Sequence, residues 1–110
     1  MHTYIDDNSD RNHIQVGAIN LMIKLQLKEG YGYVDISSAT LKNIIIKKPD
    51  DTILTNTASF FTDGTDGIIY YTTVEDDLDQ AGTYYVQSYI EMPTFEGYST
   101  PTSFVVYDNL

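Results

Sequence analysis

The stretch Leu78-Asp79-Gln80-Ala81-Gly82-Thr83-Tyr84-Tyr85-Val86 decides how this chain folds. Residues 76–82 combine aspartates with a glycine, a composition that turns the backbone. From Thr83 to Glu91 the pattern changes to strict alternation. Tyr84, Val86, Ser88 and Ile90 take one face, and Tyr85, Gln87, Tyr89 and Glu91 take the other. Period two marks a strand with one buried side. A tyrosine just after an acidic turn, two residues before a core position, can bond its hydroxyl back to the corner backbone. Tyr84 is the candidate corner tyrosine, Val86 the core position, and Gly82 supplies backbone freedom.

The same period recurs upstream. Ile19, Leu21, Ile23, Leu25 and Leu27 alternate with polar residues, and Glu29-Gly30-Tyr31-Gly32 ends that strand. Val34-Asp35-Ile36 and Leu41 to Lys47 follow. In the second of these, Ile44-Ile45-Ile46 is a continuous run, which fits a strand covered on both sides or next to a bulge. Pro49-Asp50-Asp51-Thr52 turns the chain into Ile53 to Phe61, with Leu54, Ala58 and Phe60 on one face. Asp63-Gly64-Thr65-Asp66-Gly67 connects to Ile68 to Thr73 as a hairpin. Met92 to Ser99 reads as a loop, and Thr102 to Tyr107 closes the domain. About seven strands without a helix or internal repeat predict an all-β fold, an immunoglobulin-like β-sandwich of antiparallel strands over residues 14–110. A small barrel is the alternative. Residues 1–13 carry no apolar period and are expected to form a flexible N-terminal arm.

Composition agrees. Of 110 residues, 45 are Ile, Val, Thr, Tyr or Phe, and four are Ala. The first group suits a pleated half-buried surface and alanine suits helices. One domain of this length buries enough surface to fold without staples. The absence of cysteine excludes disulfides, thiolate metal sites and thiol nucleophiles. The net charge is −10, which argues against nucleic acid or an anionic membrane as partner. No run is long and apolar enough to span a bilayer. The first residues lack a signal-peptide pattern, so folding in a cytosol is expected. All six basic residues lie within positions 1–48, where the net charge is +1; positions 49–110 carry −11.

Four segments follow one another in a characteristic order: Asp35-Ile36-Ser37-Ser38-Ala39-Thr40, Ile46-Lys47-Lys48-Pro49-Asp50, Thr62 to Tyr70, and Asp77-Leu78-Asp79-Gln80-Ala81-Gly82-Thr83-Tyr84 with Val86-Gln87. In this order and spacing, residues 16–107 resemble the immunoglobulin-like N-terminal domain of the phage baseplate upper protein family and its small phage relatives. Asp51 and Tyr84 depart from that pattern, where the family usually has Gly and often has Trp. The family's domain precedes a fibre-forming region and this chain ends at Leu110, so a stand-alone module is expected. The resemblance implies a non-enzymatic bacteriophage virion structural protein, assembled in the host cytoplasm, that decorates or connects a capsid surface, head fibre, tail or baseplate. Its partners would be other virion proteins, and it would be oligomeric only in the assembled particle. A carbohydrate-binding adhesion module for host-surface glycan is the alternative.

The residues offer no catalytic, cofactor or metal site to set against this. His2 and His13 both lie in the expected arm, far from a nucleophile held in a cleft. Asp76, Asp77 and Asp79 lack the surroundings of a glycosidase pair. Asp63, Asp66 and the 76–79 cluster offer oxygens to calcium, but not at EF-hand spacing, and aspartate is a common turn residue. The remaining candidates are the tyrosines expected to face outward: Tyr85 and Tyr89, with Tyr71 and Tyr107. Such rings serve interfaces and sugar platforms, or simply pair across strands on a solvated sheet. Arg11, Lys24 and Lys28 form a candidate basic contact near the arm.

Overall fold

The structure is a computed structural model that describes residues 14–30 and 32–110, together with the backbone of His2–Ile5. Two sheets face each other. The smaller contains β1 (His2–Ile5), β3 (Met22–Glu29), β8 (Ile68–Thr72) and β7 (Ser59–Phe60) in that order, with β4 (Gly32–Tyr33) also against β3. The larger runs β2 (Ile14–Gln15), β11 (Thr102–Tyr107), β9 (Gly82–Met92), β5 (Leu41–Lys47) and β6 (Ile53–Thr57), with β10 (Phe95–Tyr98) also against β9. β2 pairs with β11 in parallel and the other ladders are antiparallel. One layer thus has the A-B-E-D order of immunoglobulin domains, and the other has G-F-C flanked by short strands. Among the described residues no helix is long and apolar enough to cross a membrane.

The alternation read in the sequence sets the core. Ile23, Leu25 and Leu27 of β3 meet Ile44 and Ile46 of β5 and Tyr84, Val86 and Ile90 of β9 between the sheets. Leu25, Leu27, Ile44, Ile46, Tyr84, Val86 and Ile90 are fully excluded from water. Each such aliphatic side chain contributes roughly 1.5–3 kcal/mol on burial. The Tyr84 hydroxyl donates to the Gln80 carbonyl at 2.7 Å and accepts the Gln80 N–H at 3.1 Å, closing the expected corner. Its ring stacks on Phe104 at 5.3 Å between centroids. Gly82 turns at φ 133°, and an added Cβ would lie 2.9 Å from Pro49 Cγ, so glycine is required there.

Several boundaries differ from the sequence reading. β1 lies within the stretch expected to be an arm: His2–Ile5 pair with Leu25–Lys28. Residues 6–13 lie outside the described residues. The alternation that starts at Ile19 becomes strand at Met22, because Asn20 turns at φ 59° and leaves Ile19 exposed. The expected strand from Ile53 to Phe61 divides at the buried Ala58, whose N–H reaches the Lys42 carbonyl; β6 stays in the larger sheet and β7 joins the smaller. The segment after Met92, expected to be a loop, makes a hairpin: β10 pairs Phe95 with Met92 and Tyr98 with Tyr89.

Candidate interaction surface

The outward residues of the larger sheet follow directly from its register. Tyr85 of β9 lies between Lys47 of β5 and Ser103 of β11. Two pairs along, Tyr89 lies between Asn43 and Tyr98, and its ring is 4.8 Å from that of Tyr98. Glu91 then lies between Leu41 and Glu96. Ile53 of β6 stands opposite Lys47, and Val105 and Tyr107 extend the face along β11. Leu41, Ile53, Tyr85, Tyr98, Val105 and Tyr107 are six of the eleven large hydrophobic side chains left exposed among the described residues, and all share this face. Ile53 and Tyr98 are each 61% exposed. A shallow cavity of about 140 Å³ opens among Ile45, Ile53, Tyr85, Gln87 and Pro101. The Ile44-Ile45-Ile46 run is thereby explained: Ile44 and Ile46 enter the core, and Ile45 lines this outer hollow.

Hydrogen bonds join the strands at the centre of the face. β10 and β11 form one interrupted strand, and Ser99 bridges the gap. Its hydroxyl accepts the Ser88 N–H at 3.0 Å and lies 2.8 Å from the Ser88 hydroxyl. The Gln87 amide donates to the Ser99 carbonyl at 2.8 Å. At one end, desolvation and then the neighbouring Glu96 push the Glu91 carboxyl above its ordinary range. Tyr89 is raised as well, by desolvation and then by Glu91. The rim of the apolar face is therefore acidic on that side.

The other candidates fall elsewhere. Tyr71 was expected to face outward, but its place in β8 turns it toward the core. Its hydroxyl donates to Asp77 Oδ2 at 2.6 Å, and desolvation followed by that bond pushes its pKa up to about 12. The buried Asp77 also accepts the Val74 N–H. Asp63 closes a turn by accepting from Thr65, and Asp66 does so by accepting from Ile68 N–H and Thr62 Oγ1. Asp79 accepts from Lys48 Nζ at 2.9 Å, and the Asp76 carbonyl accepts from the same ammonium at 2.7 Å. The aspartates are thus spread over separate turns. Among the described residues no group of three or more His, Cys, Asp and Glu side chains is placed to hold a metal ion. Lys24 and Lys28 lie on the opposite, smaller sheet, over the rings of Phe61 and Tyr33. Of His2 only the place in β1 is described, and Arg11 and His13 lie outside the described residues.

Two features were missed in the sequence. Tyr98 was hidden in the expected loop, although Phe95-Glu96-Gly97-Tyr98 after a Pro-Thr turn carries a hairpin signal. Lys48, 7% exposed, looked like an ordinary basic residue in a turn motif. Burial works against its charge, but the bond and charge of Asp79 outweigh this and raise its pKa.

The fold and surface define a small immunoglobulin-like β-sandwich with an aromatic outer face. No family model matches the chain, and no curated protein matches it. Among solved structures it is similar to CopC from Methylosinus trichosporium OB3b, with a TM-score of 0.57 and 19% identity over 99% of each chain. At that identity the likeness is one of fold. It overturns the expectation of a bacteriophage structural protein with a glycan adhesion module as alternative. The same sandwich, matched over 99% of each chain, is built by CopC, so this architecture does not mark a virion part. Function has to be read from the surface.

Proposed function

We propose that this chain is a non-enzymatic binding module whose partner is a protein seated on the outer face of the larger sheet. The observation that carries this reading is the gathering of Leu41, Ile53, Tyr85, Tyr98, Val105 and Tyr107 on one side of one sheet. Contiguous exposed apolar surface with a polar rim is the signature of an interaction site, and tyrosine is enriched at the centre of such sites. The turn aspartates are committed to structure: Asp77 to Tyr71, Asp79 to Lys48, and Asp63 and Asp66 to their own turns. The chemistry of the face asks for a partner with an apolar centre and a basic group at one end, because Glu91 and Glu96 flank it there.

The reading is tested by placing a photo-crosslinking amino acid at Tyr85, Tyr98, or the control position Thr72 on the smaller sheet. Crosslinks to one protein from Tyr85 and Tyr98, and none from Thr72, are expected. Equal yields from all three positions would overturn it.

A further inference from the structure

The hairpin of β9 and β10 sets two carboxyl groups against each other. The Ser99 N–H donates to the Ser88 carbonyl at 3.0 Å, so these two residues form a hydrogen-bonded pair of the ladder. Alternation then makes Ile90–Gly97 and Met92–Phe95 hydrogen-bonded pairs, with Tyr89–Tyr98 and Glu91–Glu96 as the non-hydrogen-bonded pairs between them. Side chains stand closest in pairs of the second kind, with Cβ atoms about 4.5–5.5 Å apart. Glu91 and Glu96 thus lie directly opposite each other on one face, one step from the turn at Pro93 and Thr94. Like charges so placed destabilise a sheet. Among the described residues, the groups that face the pair are not basic. From β5 come Leu41, opposite Glu91, and Thr40, whose N–H and hydroxyl both donate to the Glu91 carbonyl. From β9 and β10 come Tyr89 and Tyr98. The nearby Lys42 pairs with Ile90 on the core side of the sheet, and its ammonium lies 4.3 Å from the centre of the Phe60 ring.

We propose that the tip of this hairpin is a pH-sensitive latch: one proton shared by Glu91 and Glu96 holds it shut, and loss of that proton, which leaves two carboxylates face to face, loosens it. A protonated carboxyl donates to an ionised one, so the singly protonated pair is joined by an O–H···O bond where the doubly ionised pair repels. Groups this close do not ionise independently, and the last proton leaves the pair at a higher pH than it leaves an ordinary glutamate. The shift of Glu91 runs that way. Desolvation, then the bond to Glu96 and then the charge of Glu96 raise its pKa, against a bond with the Tyr89 hydroxyl that lowers it. The folded chain therefore holds this proton more tightly than the unfolded chain. The stability so contributed is complete below the ordinary value of 4.5 and is lost as pH rises through the folded value. The next pair inward is Tyr89–Tyr98, with rings 4.8 Å apart, so the latch governs how firmly β10 presents Tyr98 on the outer face. The inference concerns the chain alone and is independent of the partner-binding reading.

The test follows hydrogen exchange at the Gly97 amide of the full chain, expressed as protection relative to an unstructured peptide at the same pH. This amide bonds across the hairpin to Ile90, next to the carboxyl pair. From about pH 4.5 to about pH 8 its protection is expected to fall about two- to fivefold, the range set by the energies of cross-strand pairs. Glu91→Gln and Glu96→Gln keep the side-chain length and remove one charge each. Both should hold the protection constant to within a factor of about 1.5 over the same range, and both should exceed the parent at the upper pH. Glu75→Gln, in the loop after β8, should show the fall of the parent. Carbon NMR titration gives a second readout, in which Glu96→Gln lowers the midpoint of the Glu91 carboxyl. Protection that stays constant in the parent, or that falls equally in the parent and both hairpin variants, would overturn the inference. So would a Glu91 midpoint unmoved by Glu96→Gln.

Discussion

The hydroxyl of Tyr84 is bonded twice to Gln80, giving its proton to the carbonyl at 2.7 Å and taking the N–H at 3.1 Å. This one side chain satisfies both backbone groups of a residue in the turn before β9. With its ring fully buried against Phe104, it fixes where β9 enters the core. Tyr84→Phe keeps the ring and leaves both Gln80 groups unpaired. It should cost about 1–3 kcal/mol in urea unfolding, with an unchanged m-value because the folded area is the same. A loss below about 0.3 kcal/mol would show that the corner adds nothing.

The register of β9 predicts opposite outcomes for adjacent residues. Val86 is fully buried and Tyr85 is half exposed. Val86→Asp places a charge in the core, costs several kcal/mol of a total of about 5–15, and should leave no folded protein. Tyr85→Asp should fold and melt within a few degrees of the parent. The neighbouring Gln87 is a poorer control, because its amide holds the Ser99 carbonyl. Equal expression and melting of the Val86 and Tyr85 variants would put the register off by one.

Lys48 ties the β5–β6 turn to the corner loop through Asp76 and Asp79. Lys48→Met preserves most of the stem packing and removes both bonds. The predicted loss is about 1–3 kcal/mol, since bonds to a charged group are worth more than neutral ones. Because the ammonium is buried, the loss should persist at 0.5 M salt, unlike that of a screened surface pair. The pair of Lys47 with Asp51 is a suitable contrast. Both its partners are exposed, so Lys47→Met should change stability by less than about 1 kcal/mol.

Alkaline pH should unfold the protein in a defined way. Tyr71 titrates near 12 in the fold, against an ordinary value of 10.0, so the folded chain holds its proton more tightly than the unfolded chain. That stability is complete below about pH 10 and is lost as pH rises toward 12. Lys48, also raised, acts in the same direction. The melting temperature should therefore fall steadily over this range, and Tyr71→Phe should flatten the slope at the expense of a lower plateau at pH 8. A slope unchanged in Tyr71→Phe would remove the Tyr71–Asp77 bond as the cause.

How much of this was legible in the sequence depended on whether a signal was local. Alternation in Thr83–Glu91 and the Tyr84 corner are local patterns, and both hold with the register intact. The division of Ile53–Phe61 between two sheets is not local. It depends on the Ala58 N–H bonding the Lys42 carbonyl of a different strand and on Ala58 entering the core, and nothing in Thr57-Ala58-Ser59 announces it. The outward placement of Tyr85 and Tyr89 followed from period two, whereas the pairing of Tyr89 with Tyr98 needed the hairpin that the Pro-Thr turn creates. Tyr71 was misplaced because Ile68-Ile69-Tyr70-Tyr71 is apolar throughout and gives no phase of its own; the ladder with β3 sets it. Function was the least legible, because a sandwich framework is shared by chains with different roles and the exposed face carries side chains rather than a motif.

The central claim is that the outer face of the larger sheet binds a protein partner. The direct measurement is co-purification of partner, from the cells in which the chain functions, with the parent, with the double variant Tyr85→Ser/Tyr98→Ser, and with Thr72→Ser. All three should melt within a few degrees of each other, since Tyr85, Tyr98 and Thr72 lie outside the buried core. The account predicts that the double variant loses at least about tenfold of the partner, because central aromatic residues dominate binding energy, and that Thr72→Ser retains it. Full recovery of partner by the double variant, with its fold intact, would contradict the account.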